Sequence, residues 1–430
     1  MLIFISDLYF VDETAGKHNI PSRVFKEAFE DMEKYGEELS EVKIVFLGDI
    51  FDINRTTYWL NVDESERPWG DWENKRELIE IHANKIMNDI TEKNADTFNI
   101  LRGSLKDKFG VEPERFYIPG NHDRLCNLFP SLRKKVRKNL GISGGLKPFP
   151  HIYDDMIYGN KYGVVARHGH EYDIWNYEGS DRFTEDDYTQ VPIGDLITTE
   201  IAARLPYTII QHVGDSLPPE DKENLKRNLE EIENVRPYSA LFDWLFYQVN
   251  ENPHLKEEIE NALDEIVENF NSLQYLKRWY KRHDKWNILT YDEADKLQAA
   301  IRTFKLINIE SAEKLMKIYT KIFGSPDDLP LDNSDRVLIE KAKDFLTHTS
   351  DYRYYVMGHT HSPMQIPVRI TSKGIEQIYL NTGTWRARYI KCLSGGFISL
   401  KTLTYTIFYS KKENENQQFE TWTGSLKELI

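Results

Sequence analysis

Cysteine is scarce: Cys126 and Cys392 are the only two in 430 residues, and they show no paired or metal-type spacing. A disulfide scaffold is thereby excluded, and a reducing compartment fits. No apolar run reaches the length of a membrane span. The N-terminal MLIFISDLYF has no basic leader and runs straight into Asp7, so it reads as a strand, and cytoplasm is the expected compartment. Positive charge is in deficit, with 55 Lys and Arg against 70 Asp and Glu, a balance of −15. Residues 176–344 carry 34 acidic and 21 basic side chains, so −13 of that balance lies in one stretch. Such a field does not steer a polyanion toward the protein, although a local basic groove can still bind one. No unit of fixed length repeats.

Hydrophobic residues make up 40% of the chain, with 24 Tyr, 21 Phe and 9 Trp, which indicates a folded chain of one large or two medium domains. Apolar, β-branched runs occur at Leu2–Ser6, Val42–Leu47, Arg115–Pro119, Gly163–Arg167, Tyr354–Met357 and Gln377–Leu380. Each runs into a short polar cluster. Helical periodicity separates the first three, at Ser22–Tyr35 and Glu77–Asn94. This is an α/β alternation, and open α/β sheets gather ligands at the carboxyl ends of their strands. Between 176 and 344 the pattern becomes amphipathic helices, including Lys222–Val235, Leu255–Phe270, Glu293–Ile309 and Glu310–Phe323. We therefore expect an all-helical subdomain inserted into a core of residues 1–175 and 345–430. Phe397–Ser410 reads as two short strands, followed by a polar loop or tail over Lys411–Gln418.

Five clusters carry the chemistry: Asp7-Leu8-Tyr9, Gly48-Asp49-Ile50-Phe51-Asp52, Gly120-Asn121-His122-Asp123, His168-Gly169-His170 and Gly358-His359-Thr360-His361. Carboxylates, an amide oxygen and imidazoles are the ligands that hold Mn²⁺, iron or Zn²⁺, and two such ions suit hydrolysis at phosphorus. A glycine before a cluster lets the chain turn sharply as it leaves the strand.

In their order and wording these clusters resemble the calcineurin-like metallophosphoesterases, over roughly residues 1–175 and 345–405. GDIFD, RHGHEYD, GHTHSP and YLNTGTW are closest to members acting on UDP-2,3-diacylglucosamine. The resemblance implies a four-layer αββα sandwich with the metal centre at the strand ends, and a metal-held hydroxide that attacks a phosphoester or pyrophosphate. It implies that Asp49 bridges two ions, Asp7 and His361 hold the first, and Asn121, His168 and His359 hold the second. Mn²⁺ is expected, with Fe, Zn²⁺, Ni²⁺ or Co²⁺ as alternatives. His122 would protonate the leaving oxygen with Asp52 orienting its ring. Arg124 would contact a phosphate oxygen or make a surface salt bridge, and His170 would support a ligand from behind. The insertion, with both ends beside the site, would cap it and select the substrate.

One departure stands out, because Tyr9 occupies the position of the family's first-motif histidine. Three readings follow: a phenolate ligand to iron, a weakened first site, or a single tightly held ion. The weakened site is favoured. Two basic stretches, Arg133–Lys138 and Lys277–Trp286, resemble phosphate- or base-contacting surfaces, although ordinary amphipathic packing explains the second better. A phosphorylated small molecule or nucleotide is the expected partner, a nucleic acid acted on by a nuclease the alternative, and a catalytically weakened scaffold a third reading. The sequence specifies no protein partner.

Overall fold

The computed structural model describes residues 1–18, 20–33, 39–159, 161–236, 240–250, 255–283, 298, 333–392, 394–414 and 418–425. The helices expected over Glu293–Ile309 and Glu310–Phe323 lie outside them. The described chain is mixed α/β. In the first sheet β1 (Leu2–Ile5), β2 (Lys43–Leu47) and β3 (Glu114–Ile118) run parallel. The second has β4 (Tyr153–Asp154), β5 (Val164–Ala166), β7 (Tyr354–Met357), β8 (Met364–Ile370) and β9 (Glu376–Asn381) in the order β4-β5-β7-β9-β8. Here β5, β7 and β9 are parallel and the two edge strands antiparallel. A three-stranded sheet joins β6 (Val235–Arg236) to β10 (Arg388–Lys391) and β11 (Phe397–Leu400). Finally, β12 (Thr402–Phe408) and β13 (Phe419–Ser425) extend the first sheet beyond β1, antiparallel.

Strands β1, β5 and β7 and the stretch Ile44–Leu47 of β2 are apolar because both of their faces are covered. Leu2, Phe4, Val45, Leu47 and Ile118 share one core with Val164, Ala166, Tyr354, Val356 and Leu380 of the second sheet. The alternate residues Ile3, Ile5, Ile44 and Phe46 pack on helices Ser22–Glu33 and Trp72–Lys93, through Phe25, Phe29, Ile79 and Ile86 among others. On the far side Val165, Tyr355, Met357 and Tyr379 cover Leu338, Ala342 and Leu346 of helix Asn333–His348.

Helices Arg204–Val213, Pro219–Glu230 and Lys256–Ser272 have a separate core around Leu205, Ile209, Leu229, Ile259 and Leu263. This stretch is not purely helical, since Val235–Arg236 leaves it to pair with β10. The expected helix Lys222–Val235 accordingly stops at Glu230.

No described helix is long and apolar enough to cross a membrane. The basic–aromatic helix Gln274–His283 uses its rings internally: Trp279 is buried and stacks on His283 at 4.3 Å. Likewise Arg133 and Arg137 tie down residues 143–147 by donating to the carbonyls of Leu146, Ser143 and Lys147.

Candidate metal centre

The parallel strands β1, β2, β3, β5 and β7 release their chains at one edge of the two facing sheets, and the expected site residues lie in the segments that follow them, Arg124 and His170 each opening a short helix there. Backbone hydrogen bonds fix the spacing of those loops. Asp7 N–H donates to Gly48 O and Tyr9 N–H to Asp49 O, each at 3.0 Å, and Gly358 N–H donates to His168 O at 2.9 Å. Glycines permit the approach, for more than one reason. Gly48 has φ +79° and also leaves room for the His168 ring, whereas a Cβ on Gly120 would lie 2.5 Å from Asp49 N and one on Gly358 2.5 Å from Asp7 Oδ2. Close contact, more than turning, requires the last two.

Seven described non-glycine residues have positive φ, and five are Asp7, Tyr9, Asp49, His359 and His361. A left-handed residue of this kind costs about 1–3 kcal/mol, and such strain gathers at functional sites.

Ligand-type atoms converge, and those of His168, His359 and Asn121 are left without a hydrogen-bond partner. Asp49, His168 and His359 each offer one within 4.8 Å of the others. His168 Nδ1–H donates to Leu47 O at 2.9 Å, so Nε2 carries the lone pair, and it lies 3.1 Å from Asp49 Oδ2 without a hydrogen-bond partner. Two lone pairs at that separation require a cation between them, a proton or a metal ion. Burial lowers the proton affinity of His168, but the charge of Asp49 outweighs it and lifts the pKa to about 10.

His359 Nε2 pairs with Asp173 Oδ2 at 3.0 Å, which leaves Nδ1 unpartnered. Asn121 Nδ2 donates to Asn176 Oδ1 at 3.1 Å, Asn176 donates to Asp173 Oδ2 at 2.8 Å, and Asn121 Oδ1 is left unpartnered. Asp173 therefore orients one imidazole directly and one amide through Asn176. Carboxylate support of this kind is how metal-ligating histidines are held. A divalent ion fits these four side chains by the chemistry of the donor set.

His122 Nδ1 lies 3.0 Å from Asp52 Oδ1, and its backbone N–H donates to Asp49 Oδ1 at 3.0 Å. Burial opposes the charged ring, yet Asp52 and then Asp49 outweigh it and hold the pKa well above the usual histidine range. His170 is buried, and burial lowers its pKa to about 4; its ring centroid is 5.4 Å from that of His168.

Tyr9 and His361 are engaged differently. The Tyr9 hydroxyl donates to Asp49 Oδ2 at 2.7 Å and lies 2.8 Å from His361 Nε2. Arg236 of β6 donates to His361 Nδ1 at 2.8 Å, and the Arg386 guanidinium sits 4.7 Å from the centroid of the Tyr9 ring. Burial, then Arg236, lowers the His361 pKa to about 4. Asp7 Oδ1 is 3.4 Å from His361 Nε2, while Asp7 Oδ2 accepts from His359 N–H at 3.2 Å.

Arg124 makes a buried ion pair, not a surface salt bridge. It is buried, and its Nε and Nη2 donate to Asp195 Oδ2 at 3.1 and 2.6 Å, while Nη1 has no hydrogen-bond partner among the described residues. It lines a cavity of about 230 Å³ beside Asn121 and His170, with Arg76 and Arg133 on the same wall.

Sequence reading missed Asp173, Asn176, Asp195, Arg236 and Glu233, whose carboxylate pairs with Arg55 at 3.2 Å and Arg386 at 3.3 Å. Asp173 stood inside RHGHEYD, and its spacing from His168 was the one available signal. The other four lie in the acidic, largely helical stretch, where nothing local distinguishes them.

No protein-family model matches this chain, and no curated protein matches it. The resemblance rests on the motifs quoted above.

Proposed function

We propose that this chain is a metal-dependent hydrolase of phosphoester or pyrophosphate bonds. The observation that carries the reading is the convergence of Asp49, His168 and His359, with His168 Nε2 facing Asp49 Oδ2 at 3.1 Å and Asn121 Oδ1 left unpartnered. When bound, a divalent ion there polarises a phosphoryl oxygen and lowers the pKa of water. The remaining chemistry belongs to the protein. His122, held by Asp52, is cationic near neutrality; it stabilises charge developing on phosphorus-bound oxygen and gives its Nε2 proton to the leaving oxygen. Arg124 lines the cavity, and its guanidinium positions an anionic part of the substrate.

The helix, sheet, sheet, helix succession of cores supports the four-layer arrangement that the motifs imply. Residues 176–344 act as a wall of the site in this reading, because Asp195 binds Arg124 and Arg236 binds His361. The cavity size favours a small phosphorylated substrate over a polymer, and Trp279 of the basic–aromatic stretch is buried, with Trp286 outside the described residues.

The test is hydrolysis of bis-p-nitrophenyl phosphate with added Mn²⁺ by wild type, Asp49→Asn and His168→Ala. Activity in wild type that both substitutions abolish is expected. Activity retained in both variants would overturn the reading.

A further inference from the structure

The hydrogen bonds around Tyr9 have only one consistent direction. A guanidinium has donors and no acceptor, so the 2.8 Å contact from Arg236 requires a lone pair on His361 Nδ1. The neutral imidazole therefore carries its hydrogen on Nε2. That hydrogen points to the Tyr9 oxygen 2.8 Å away, with Asp7 Oδ1 at 3.4 Å from the same nitrogen. The Tyr9 hydrogen then goes to Asp49 Oδ2 at 2.7 Å. The relay Arg236, His361, Tyr9, Asp49 leaves His361 no lone pair for a metal and keeps Tyr9 a phenol.

We propose that the centre binds one divalent ion, at Asp49, Asn121, His168 and His359, and that Tyr9, His361 and Arg236 take the place of a second. This rests on the hydrolase reading given above. Arg236 is buried and held by its own strand, donating to Glu233 O at 2.7 Å and Val235 O at 2.9 Å as well as to His361. Its charge is permanent at any working pH. A fixed organic cation is thus bonded to His361, whose other ring nitrogen faces Asp7 and, through Tyr9, Asp49. Arg236 is a positioning residue, because it acts through His361. It also explains why the segment between β5 and β7 interrupts its helices with a two-residue strand: pairing β6 with β10 carries this guanidinium into the centre.

The test uses the full chain, titrated with Mn²⁺ and followed by metal content and electron paramagnetic resonance. Wild type is expected to take up one Mn²⁺ per chain, with the spectrum of an isolated ion. The double variant Tyr9→His with Arg236→Ala is expected to double that uptake and show an exchange-coupled pair. Two coupled ions in wild type would overturn the one-ion assignment while leaving the hydrolase reading intact. No bound ion in wild type would overturn both. A folded double variant that still binds one ion would overturn the role given to Tyr9 and Arg236. If that variant does not fold, the wild-type spectrum alone decides.

Discussion

Adding a single methyl group at Gly120 should disable the centre. A Cβ there would lie 2.5 Å from Asp49 N, whereas ordinary contact begins near 3.4 Å, so Asp49 or the Gly120 loop must retreat by roughly 0.9 Å. Neither yields freely. Asp49 O accepts from Tyr9 N–H, and Asp49 Oδ1 accepts from His122 N–H, each at 3.0 Å. Gly120 N–H is itself bonded to Asp123 Oδ1 at 2.5 Å. Overpacking of this kind costs about 1–3 kcal/mol of stability. A displacement near 1 Å at reacting groups costs on the order of 10²-fold in rate. Gly145→Ala is the control, since nothing lies within 4 Å of its Cβ position. Urea unfolding and Mn²⁺-supported hydrolysis of bis-p-nitrophenyl phosphate measure both effects. Wild-type stability and rate in Gly120→Ala would refute the argument that close approach, rather than turning, demands the glycine.

Asp173→Asn removes the negative charge behind His359 and Asn176, and should weaken Mn²⁺ binding by about 10–100-fold, read by calorimetric titration. Asp52→Asn should move the alkaline loss of activity to lower pH. Asp52 helps raise the His122 pKa, so the protonated ring persists to higher pH in wild type and is lost earlier without its partner; an unshifted pH–rate profile would count against His122 as the acid. Asp195→Ala leaves Arg124 buried and unpaired, which should destabilise the fold by about 3–5 kcal/mol in urea unfolding, whereas Arg124→Met with Asp195→Leu should come close to neutral.

The sheet strands and the site loops were legible for the same reason. Strands buried on both faces read as near-continuous apolar runs, as LIFI and, after Lys43, IVFL do, so the polar residue that ends each run marks where the chain leaves the core. The edge strands β3 and β11 were legible, but β8 and β13 were not. In β8, Pro367 breaks an otherwise alternating run, which is tolerated because β8 lies at the sheet edge; β13, another edge strand, is FETWTGS and polar throughout much of its length.

The side chains that orient the site were hidden by distance in sequence. Asp173 reaches His359 across 186 positions, and Arg236 reaches His361 across 125. Tyr9 was visible as a departure, but its consequence was not. Whether a phenol ligates, weakens or fills a site depends on where its hydrogen goes, and Arg236 decides that from another strand.

The most direct test is an anomalous-scattering map from crystals grown with Mn²⁺ and collected at the manganese edge. The account predicts one peak per chain, within coordinating distance of Asp49, Asn121, His168 and His359. A map with no peak among those four side chains would contradict it.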